Sequence, residues 1–213
     1  MWEMIRAGNV MMVPLGLCSL IGMAVFLERS WALRRRRYIV PEVVEAVETL
    51  PAARDLGVTR AILARNPGPF ARIVAAGLDH AGDDWQIIRD VLEESGRQEA
   101  VLITRRLGVL EVIAAVAPLL GLLGTVTGMI RVFGVVSTVG LGDPEHLSGG
   151  IAEAMVTTAA GLIIGIPSLV AYHWLQGRAE AIIFDLERYA SRLLDMLRTR
   201  RAGGAADGDG EAA

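Results

Sequence analysis

Three side chains that could handle ions lie within or beside apolar stretches long enough to cross a bilayer. Glu153 carries a carboxylate, and Thr125 and Thr158 carry hydroxyls. A charged side chain at the centre of a membrane span costs roughly 2.5–3.5 kcal/mol, so it usually faces a protein interior or a water-filled cavity. The large aliphatic residues of 162–170 can offset about that much, at roughly 0.3–0.6 kcal/mol each. We therefore predict that this helix inserts and that Glu153 avoids lipid.

The chain positions of the two threonines predict that they lie at one depth in the membrane. The connection between the two apolar stretches centres near Gly142, and Thr125 precedes this point by almost the same distance along the chain as Thr158 follows it. In an antiparallel helical hairpin these positions are level. Glu153 lies five residues nearer the outside than Thr158, which is about 7.5 Å along a helix. A carboxylate above two hydroxyls is typical of a polar path for an ion.

Other interpretations of these residues stay open. Threonines in membrane helices often bond back to carbonyl oxygens of their own helix, and Glu153 could cap the N-terminus of its helix at the interface. Arg131, near the outer end of the second apolar stretch, is predicted to anchor there by snorkelling, with ion gating as the alternative. Threonine hydroxyls and a carboxylate also suit Na⁺, so a sodium path remains possible.

Three helices must position these side chains. The segments 10–27, 107–136 and 149–175 approach the roughly 20 apolar residues that a membrane span needs. The region 29–106 carries 13 of the 21 arginines, whereas the connection 137–148 carries none. Because basic residues favour the cytoplasmic side, the N-terminus should be outside and the C-terminus inside.

The predicted fold is an all-α integral membrane protein with three transmembrane helices and long cytoplasmic helical extensions. The segment "PEVVEAVETL" reads as an amphipathic helix opened by Pro41, and "NPGP" at 66–69 predicts a break. From Asp83 or Asp84 the helical periodicity is expected to run without interruption into the second span. The predicted order is an external N-terminus at 1–9, a first span at 10–27, a cytoplasmic helical region at 28–106, a second span at 107–136, an external turn at 137–148, a third span at 149–175, a cytoplasmic helix at 176–201 and a disordered tail at 202–213.

Small residues in the second and third spans recur at spacings of three and four. In lipid, such positions let helix backbones approach closely. Prolines inside membrane helices are tolerated where neighbours cover the freed carbonyl groups. The residues assigned to helix packing on this basis are Gly121, Gly124, Gly128, Gly161, Gly165, Pro118 and Pro167.

Several classes of function find no support in the composition. All 21 basic residues are arginine, so the lysine that a phosphate-binding P-loop needs is missing. A net charge of −3 offers no basic face for nucleic acid. The one cysteine, Cys18, forms no metal-binding pair, and the three histidines lie far apart. The sequence shows no nucleophile paired with a base, so nothing in it indicates an enzyme. We therefore expect no metal, no cofactor and no catalytic site.

The motifs of the second and third spans resemble those of a known family. The segments "APLLGLLGTVTGMIRVF" (117–133) and "GGIAEAMVTTAAGLIIGIPSLVAYHWL" (149–175) look like the MotA/TolQ/ExbB proton-channel family, most closely its ExbB/TolQ branch. The matching core covers roughly residues 105–180. The paired G-T-V-x-G and E-A-(x)3-T-A-x-G-L-(x)3-I-P patterns carry the resemblance.

The resemblance implies a ring, usually a pentamer of this chain, around a small single-span partner of the ExbD/TolR type that brings a membrane aspartate. It implies that Thr125, Glu153 and Thr158 line the ion path. The expected function is to convert proton-motive force at the bacterial inner membrane into mechanical work. That work would reach a TonB- or TolA-like transducer, for energised outer-membrane transport or envelope maintenance. The alternative is a non-conducting membrane scaffold whose glycine-lined spans organise a complex.

Overall fold

The computed structural model of the protein describes residues 10–50, 56–139 and 144–210, with side chains described at 10–50, 56–137 and 148–199. Within these ranges the chain is helical and contains no strand, so the predicted all-α fold is confirmed. The helices are α1 Met12–Ala32, α2 Arg35–Tyr38, α3 Pro41–Glu48, α4 Gly57–Arg65, α5 Pro69–Asp79, α6 Trp85–Thr104, α7 Leu107–Val139 and α8 Pro144–Gly210.

The chain divides into two units, and the first holds the apolar helices. Its described residues are 10–30, 106–139 and 144–176, with α1, α7 and the first half of α8. These three helices are long and apolar enough to cross a membrane. Inside this unit a Cβ added to Gly22 of α1 would lie 3.5 Å from Ile113 of α7 and 3.7 Å from the hydroxyl of Ser168 of α8. These are ordinary van der Waals distances, and they place Gly22 of α1 against both other helices.

The backbone breaks just before the second apolar helix, which corrects the expectation of one uninterrupted helix. Helix α6 ends at Thr104, Arg105 has an extended ψ of 138°, and Arg106 has a φ of 73°. This left-handed conformation is unfavourable for a residue with a side chain. Arg106 forms an ion pair with Glu28 of α1, which fixes its side chain inside the first unit. The local periodicity of hydrophobic residues does not indicate a contact between residues so far apart in the chain.

The second unit comprises residues 31–50, 56–105 and 177–210. Its helices α5 and α6 pack on the C-terminal half of α8. A Cβ at Gly77 of α5 would lie 2.9 Å from Leu92 of α6 and 3.2 Å from Leu193 of α8. The ring of Phe70 lies 5.4 Å from that of Tyr189, centroid to centroid. The helix opened by Pro41 and the break at 66–69 are both present as predicted.

A buried carboxylate ties α5 to α6. Arg72 Nε donates to Glu99 Oε1 at 2.5 Å, and Arg72 Nη2 donates to Glu99 Oε2 at 2.7 Å. The Glu99 side chain is 8% exposed, whereas that of Arg72 is 58% exposed. The hydrogen bond to Glu99 raises the pKa of the Arg72 guanidinium above its ordinary value. The fork-shaped pairing therefore satisfies a carboxylate that water barely reaches.

Replacing Arg72 by alanine should destabilise this unit by about 1–2 kcal/mol, because it leaves the Glu99 carboxylate buried without its partner, although solvent at Arg72 limits the loss. The measurement is the melting temperature of the detergent-solubilised protein, followed by circular dichroism. Arg60→Ala is the control: it removes a 2.9 Å pair with Asp79 in which both side chains are more than half exposed. Equal melting temperatures for the two variants would contradict the prediction.

The ends of the long helices differ from the boundaries expected from hydropathy. Helix α1 continues to Ala32, five residues past the apolar run 10–27. The predicted third span and the helix predicted after it form one continuous helix, α8, in agreement with the expected helical extension. Helix α8 also continues to Gly210, into the tail 202–213 for which the composition predicts disorder. A helix that is already formed can be extended without a new nucleation cost. Residues 211–213 lie outside the described residues.

Candidate functional site

Small residues line the contact between α7 and α8. A Cβ at Gly161 would lie 2.6 Å from the carbonyl oxygen of Ala117, and one at Gly121 would lie 2.9 Å from that of Thr157. Because these neighbours are backbone atoms, they cannot move aside as a side chain can. At the three other glycines assigned to helix packing, the nearest atoms of the opposite helix belong to side chains: Thr157 at Gly124, Ala154 at Gly128 and Pro118 at Gly165.

The two prolines of the packing prediction differ in their surroundings. A Cβ at Gly165 would lie 2.7 Å from Cγ of Pro118, so Pro118 lies in the contact between α7 and α8. Pro167 is exposed on α8. The close approach of the two helices therefore depends on glycine and on Pro118.

The hydroxyls of Thr125 and Thr158 meet across this contact in a hydrogen bond. Thr158 Oγ1 donates to the carbonyl oxygen of Gly121 at 3.0 Å, so its oxygen accepts the proton of Thr125. Thr125 Oγ1 also lies 3.2 Å from the carbonyl oxygen of Ala154. Gly121 and Ala154 are each four residues before one of the two threonines. The two hydroxyls thus link the helices at one level of the hairpin.

Other hydroxyls of these helices bond back to their own helix, as membrane threonines and serines commonly do. Thr127 Oγ1 donates to the carbonyl oxygen of Leu123 at 2.9 Å, and Ser168 Oγ donates to that of Ile164 at 2.7 Å. Buried Thr157 donates to Ala154 at 2.7 Å. The cross-helix bonds therefore distinguish Thr125 and Thr158 from their neighbours. Thr125 also has a longer contact, 3.4 Å, with a carbonyl oxygen of its own helix.

Glu153 pairs with Arg131 rather than standing alone. Arg131 Nη1 lies 3.4 Å from Glu153 Oε1, with the arginine side chain 58% exposed and the glutamate side chain 24% exposed. Ionisable groups in membrane segments commonly pair with one another, which lowers the cost of inserting either. The prediction that Arg131 anchors at the interface did not include its pairing with Glu153.

The sequence does contain a signal for this pair. Arg131 precedes Gly142 by the same distance along the chain as Glu153 follows it. The symmetry about the turn that makes Thr125 level with Thr158 therefore makes Arg131 level with Glu153. The expectation considered this symmetry for the threonines alone and so missed the pair.

The ion pair and the threonine pair point to different sides of the hairpin. Glu153 and Thr158 are five residues apart, which turns their side chains about 140° apart on a helix of 3.6 residues per turn. Thr125 and Arg131, six residues apart, are turned about 120° apart. The structure thus brings together Thr125 with Thr158 and Glu153 with Arg131, and it does not bring all of them onto one face.

Helix α1 packs on the side that carries the ion pair. Ile113, which contacts α1 at Gly22, lies five full helical turns before Arg131, so the two side chains point the same way. Phe26 of α1 lies 6.2 Å from Trp174 of α8, centroid to centroid. Trp174 is turned about 60° from Glu153 but about 160° from Thr158. In this unit α1 therefore leaves the side with the threonines uncovered.

Large apolar side chains surround the threonines on that open side. Leu122, Met155 and Leu162 are 55%, 66% and 43% exposed, and each is turned by about 60° or less from Thr125 or Thr158. We call this surface, formed by these five residues, the threonine face. It offers two half-buried hydroxyls in an apolar surround, which suits contact with another apolar helix that carries a polar group.

Among the described residues no group of three or more histidine, cysteine, aspartate or glutamate side chains is placed to hold a metal ion. The polar atoms of the site are hydroxyls, one carboxylate and one guanidinium.

The fold and this site define an all-α membrane protein in which a glycine-packed helical hairpin presents paired polar groups. A family model described as the MotA/TolQ/ExbB proton channel family matches residues 65–188, which include the predicted core 105–180. The chain belongs to this family, and the resemblance stated from the motifs is confirmed.

Similar proteins are named for biopolymer transport and for the Tol-Pal system. The chain is 35% identical over 176 residues to the putative biopolymer transport protein ExbB-like 1 of Synechocystis, covering 79% of this chain and 67% of that protein. It is 30% identical over 184 residues to the biopolymer transport protein exbB1 of Vibrio cholerae, covering 84% and 80%. It is 32% identical over 108 residues to the Tol-Pal system protein TolQ of Haemophilus influenzae, covering 51% and 47%.

Proposed function

We propose that this chain is the channel-forming subunit of a motor that converts proton-motive force into mechanical work, for energised outer-membrane transport or envelope maintenance. The observation that carries the proposal is the pair of hydroxyls on the threonine face. These groups lie deep in two apolar helices, at one level, on the side that α1 leaves open. Hydroxyls at this position can exchange hydrogen bonds with water or with a protonated carboxyl group.

The proposed partner is a single-span protein of the ExbD/TolR type, whose membrane aspartate would face Thr125 and Thr158. The exposed Leu122, Met155 and Leu162 would pack on its apolar helix. Several copies of this chain, five in the expected ring, would place their threonine faces around that helix. A TonB- or TolA-like transducer would receive the work.

The proposed location is the bacterial inner membrane, with the N-terminus in the periplasm and the C-terminus in the cytoplasm. The distribution of arginine supports this orientation, since the connection 137–148 has none and the region 29–106 has 13. In this orientation Arg131 and Glu153 lie at the periplasmic end of the path and the threonines lie deeper. Glu153 would then support proton entry or gating.

A non-conducting scaffold is the second candidate, and the cross-helix bonds favour it in part. The bond between Thr125 and Thr158 and the bond from Thr158 Oγ1 to the carbonyl oxygen of Gly121 hold two helices together. A scaffold needs these bonds for stability alone. A channel also needs the hydroxyls to form other hydrogen bonds while a proton passes.

The decisive experiment is a proton-flux measurement on the reconstituted complex. The chain would be purified with its single-span partner and placed in vesicles with a pH-sensitive dye inside, and a potential would be applied with potassium and valinomycin. We expect flux that requires the partner, persists when choline replaces sodium, and disappears when the partner's membrane aspartate becomes asparagine. An assembled complex without flux would favour the scaffold, and flux that needs sodium would point to a sodium path.

Replacing Glu153 by alanine should abolish energised function and lower the flux by at least about tenfold, the effect of roughly 1.4 kcal/mol on a barrier. The complex should still assemble, because Glu153 lies outside the glycine contact between α7 and α8. Assembly is measured by size-exclusion chromatography with native mass spectrometry. The matched control is Glu94→Ala, which removes an exposed carboxylate from α6. Full function of Glu153→Ala would show that the proposed role is wrong.

A further inference from the structure

We propose that Arg131 is the positioning residue of Glu153, and that Glu153 acts as one half of an ion pair rather than as a proton carrier on the threonine face. This inference rests on the proposed function and assigns Arg131 a part in it. The starting observation is the 3.4 Å approach of Arg131 Nη1 to Glu153 Oε1. It joins a residue of α7 to one of α8 at the level where the hairpin approaches its external turn.

The geometry separates the carboxylate from the threonine hydroxyls. Glu153 lies about 7.5 Å along the helix from Thr158 and is turned about 140° away from it. The hydroxyl pair is held at its own level by the bond between Thr125 and Thr158 and by the bond from Thr158 to the carbonyl oxygen of Gly121. A carboxylate on the α1 side therefore does not reach the threonine face through rotation of its own side chain.

The surroundings of Glu153 explain why it needs the arginine. Its side chain is 24% exposed, and buried Ala154 and Thr157 beside it lie in the contact with α7. An ionised carboxylate in such a place is stabilised by a cation that also donates a hydrogen bond. Among the described residues Arg131 is the cation that meets Glu153. It supplies the opposite charge from the helix that carries Thr125.

The pair therefore has a function that a single charge lacks. It fixes the outer ends of α7 and α8 relative to each other, about one and a half turns from the hydroxyl pair, and keeps this level of the hairpin electrically neutral. Whether the positive charge lies on α7 or on α8 is then less important than the presence of the pair.

Exchanging the two charged residues tests this inference, because an arginine at position 153 could not replace a Glu153 that carries protons. Four forms would be compared for flux in the vesicle assay and for assembly: wild type, Arg131→Gln, Arg131→Lys, and the exchanged variant Arg131→Glu with Glu153→Arg. We expect Arg131→Gln to lower the flux at least about tenfold, because the free energy of a hydrogen bond between charged groups is sufficient to change a rate by that factor. Arg131→Lys and the exchanged variant should recover most of the flux. Arg89→Gln, which breaks an exposed pair with Glu93, is the control and should match the wild type.

The outcomes separate this inference from the proposed function. If the wild type conducts and Arg131→Gln conducts equally well, the inference is overturned while the proposed function stands. If Arg131→Lys conducts but the exchanged variant assembles without flux, Glu153 must carry protons itself, and the inference is also overturned. If the flux of every variant falls only in proportion to the amount of assembled complex, the pair is merely structural and the inference fails. A wild type that does not conduct contradicts the proposed function instead.

Discussion

Replacing Thr158 by valine is expected to remove most of the proton flux while the complex still assembles. Valine keeps the shape of threonine and loses the hydroxyl that meets Thr125 and donates to Gly121. Hydrogen bonds between membrane helices are worth only about 0.6 kcal/mol on average, so the hairpin should survive. In the variant, a proton that passes this level has one hydrogen-bond partner fewer. A barrier raised by about 1.4 kcal/mol lowers the rate tenfold. Flux and assembly are measured on the same preparation.

Two controls make this prediction specific. Thr158→Ser keeps the hydroxyl and loses the methyl group, so it should conduct like the wild type. Thr127→Val removes a hydroxyl of the same helical pair that bonds back to Leu123 and Gly124, and it should also leave the flux unchanged. Wild-type flux in Thr158→Val would contradict the prediction. Equal losses in Thr158→Val and Thr127→Val would indicate a general effect of removing hydroxyls.

The double variant tests whether the two threonines act as one unit. Thr125→Val should lower the flux about as much as Thr158→Val, because each hydroxyl is the other's partner. Groups that act together give non-additive losses. The double variant should therefore be little worse than either single variant. Additive losses would mean that each hydroxyl serves a separate step.

The level of each polar group in the hairpin could be predicted from the sequence, because helical rise is uniform. Counting from Gly142 placed Thr125 opposite Thr158, and their hydroxyls do meet. The angle between Glu153 and Thr158 could also be predicted from the sequence, since five residues always turn a helix by about 140°. The path through Glu153 and both threonines stays a prediction, and it was made without this rotation. Level and angle together would have separated the ion pair from the hydroxyl pair.

Other features had no signal in the sequence. The break at Arg105 and Arg106 carries neither glycine nor proline, and Gly108 comes two residues too late to explain it. The contact that accompanies it, between Arg106 and Glu28, joins residues 78 positions apart. The side of the hairpin that α1 covers depends on Gly22 meeting Ile113, which is a question of tertiary packing. Local periodicity reports neither kind of contact.

Replacing Gly161 by alanine is expected to damage the helical hairpin itself. The added Cβ would lie 2.6 Å from the carbonyl oxygen of Ala117 and 3.0 Å from the Cα of Gly121. Both are backbone atoms, so α7 and α8 must move apart, and overpacking of this kind costs about 1–3 kcal/mol. Alanine gains about 1 kcal/mol over glycine in helix propensity, which offsets only part of the loss. The melting temperature should fall, and the flux should fall with it because the threonine hydroxyls separate.

Gly134→Ala on α7 is the matched control, because nothing lies within 4 Å of a Cβ added there. It gains the same helix propensity without a clash, so its melting temperature should equal or slightly exceed that of the wild type. The contrast with Thr158→Val is diagnostic: Gly161→Ala should lose stability and flux together, whereas Thr158→Val should lose flux alone. If Gly161→Ala is as stable as Gly134→Ala, the helices are not in close contact at this level. The hydroxyl pair would then have no rigid support, and the proposed path would lose its structural basis.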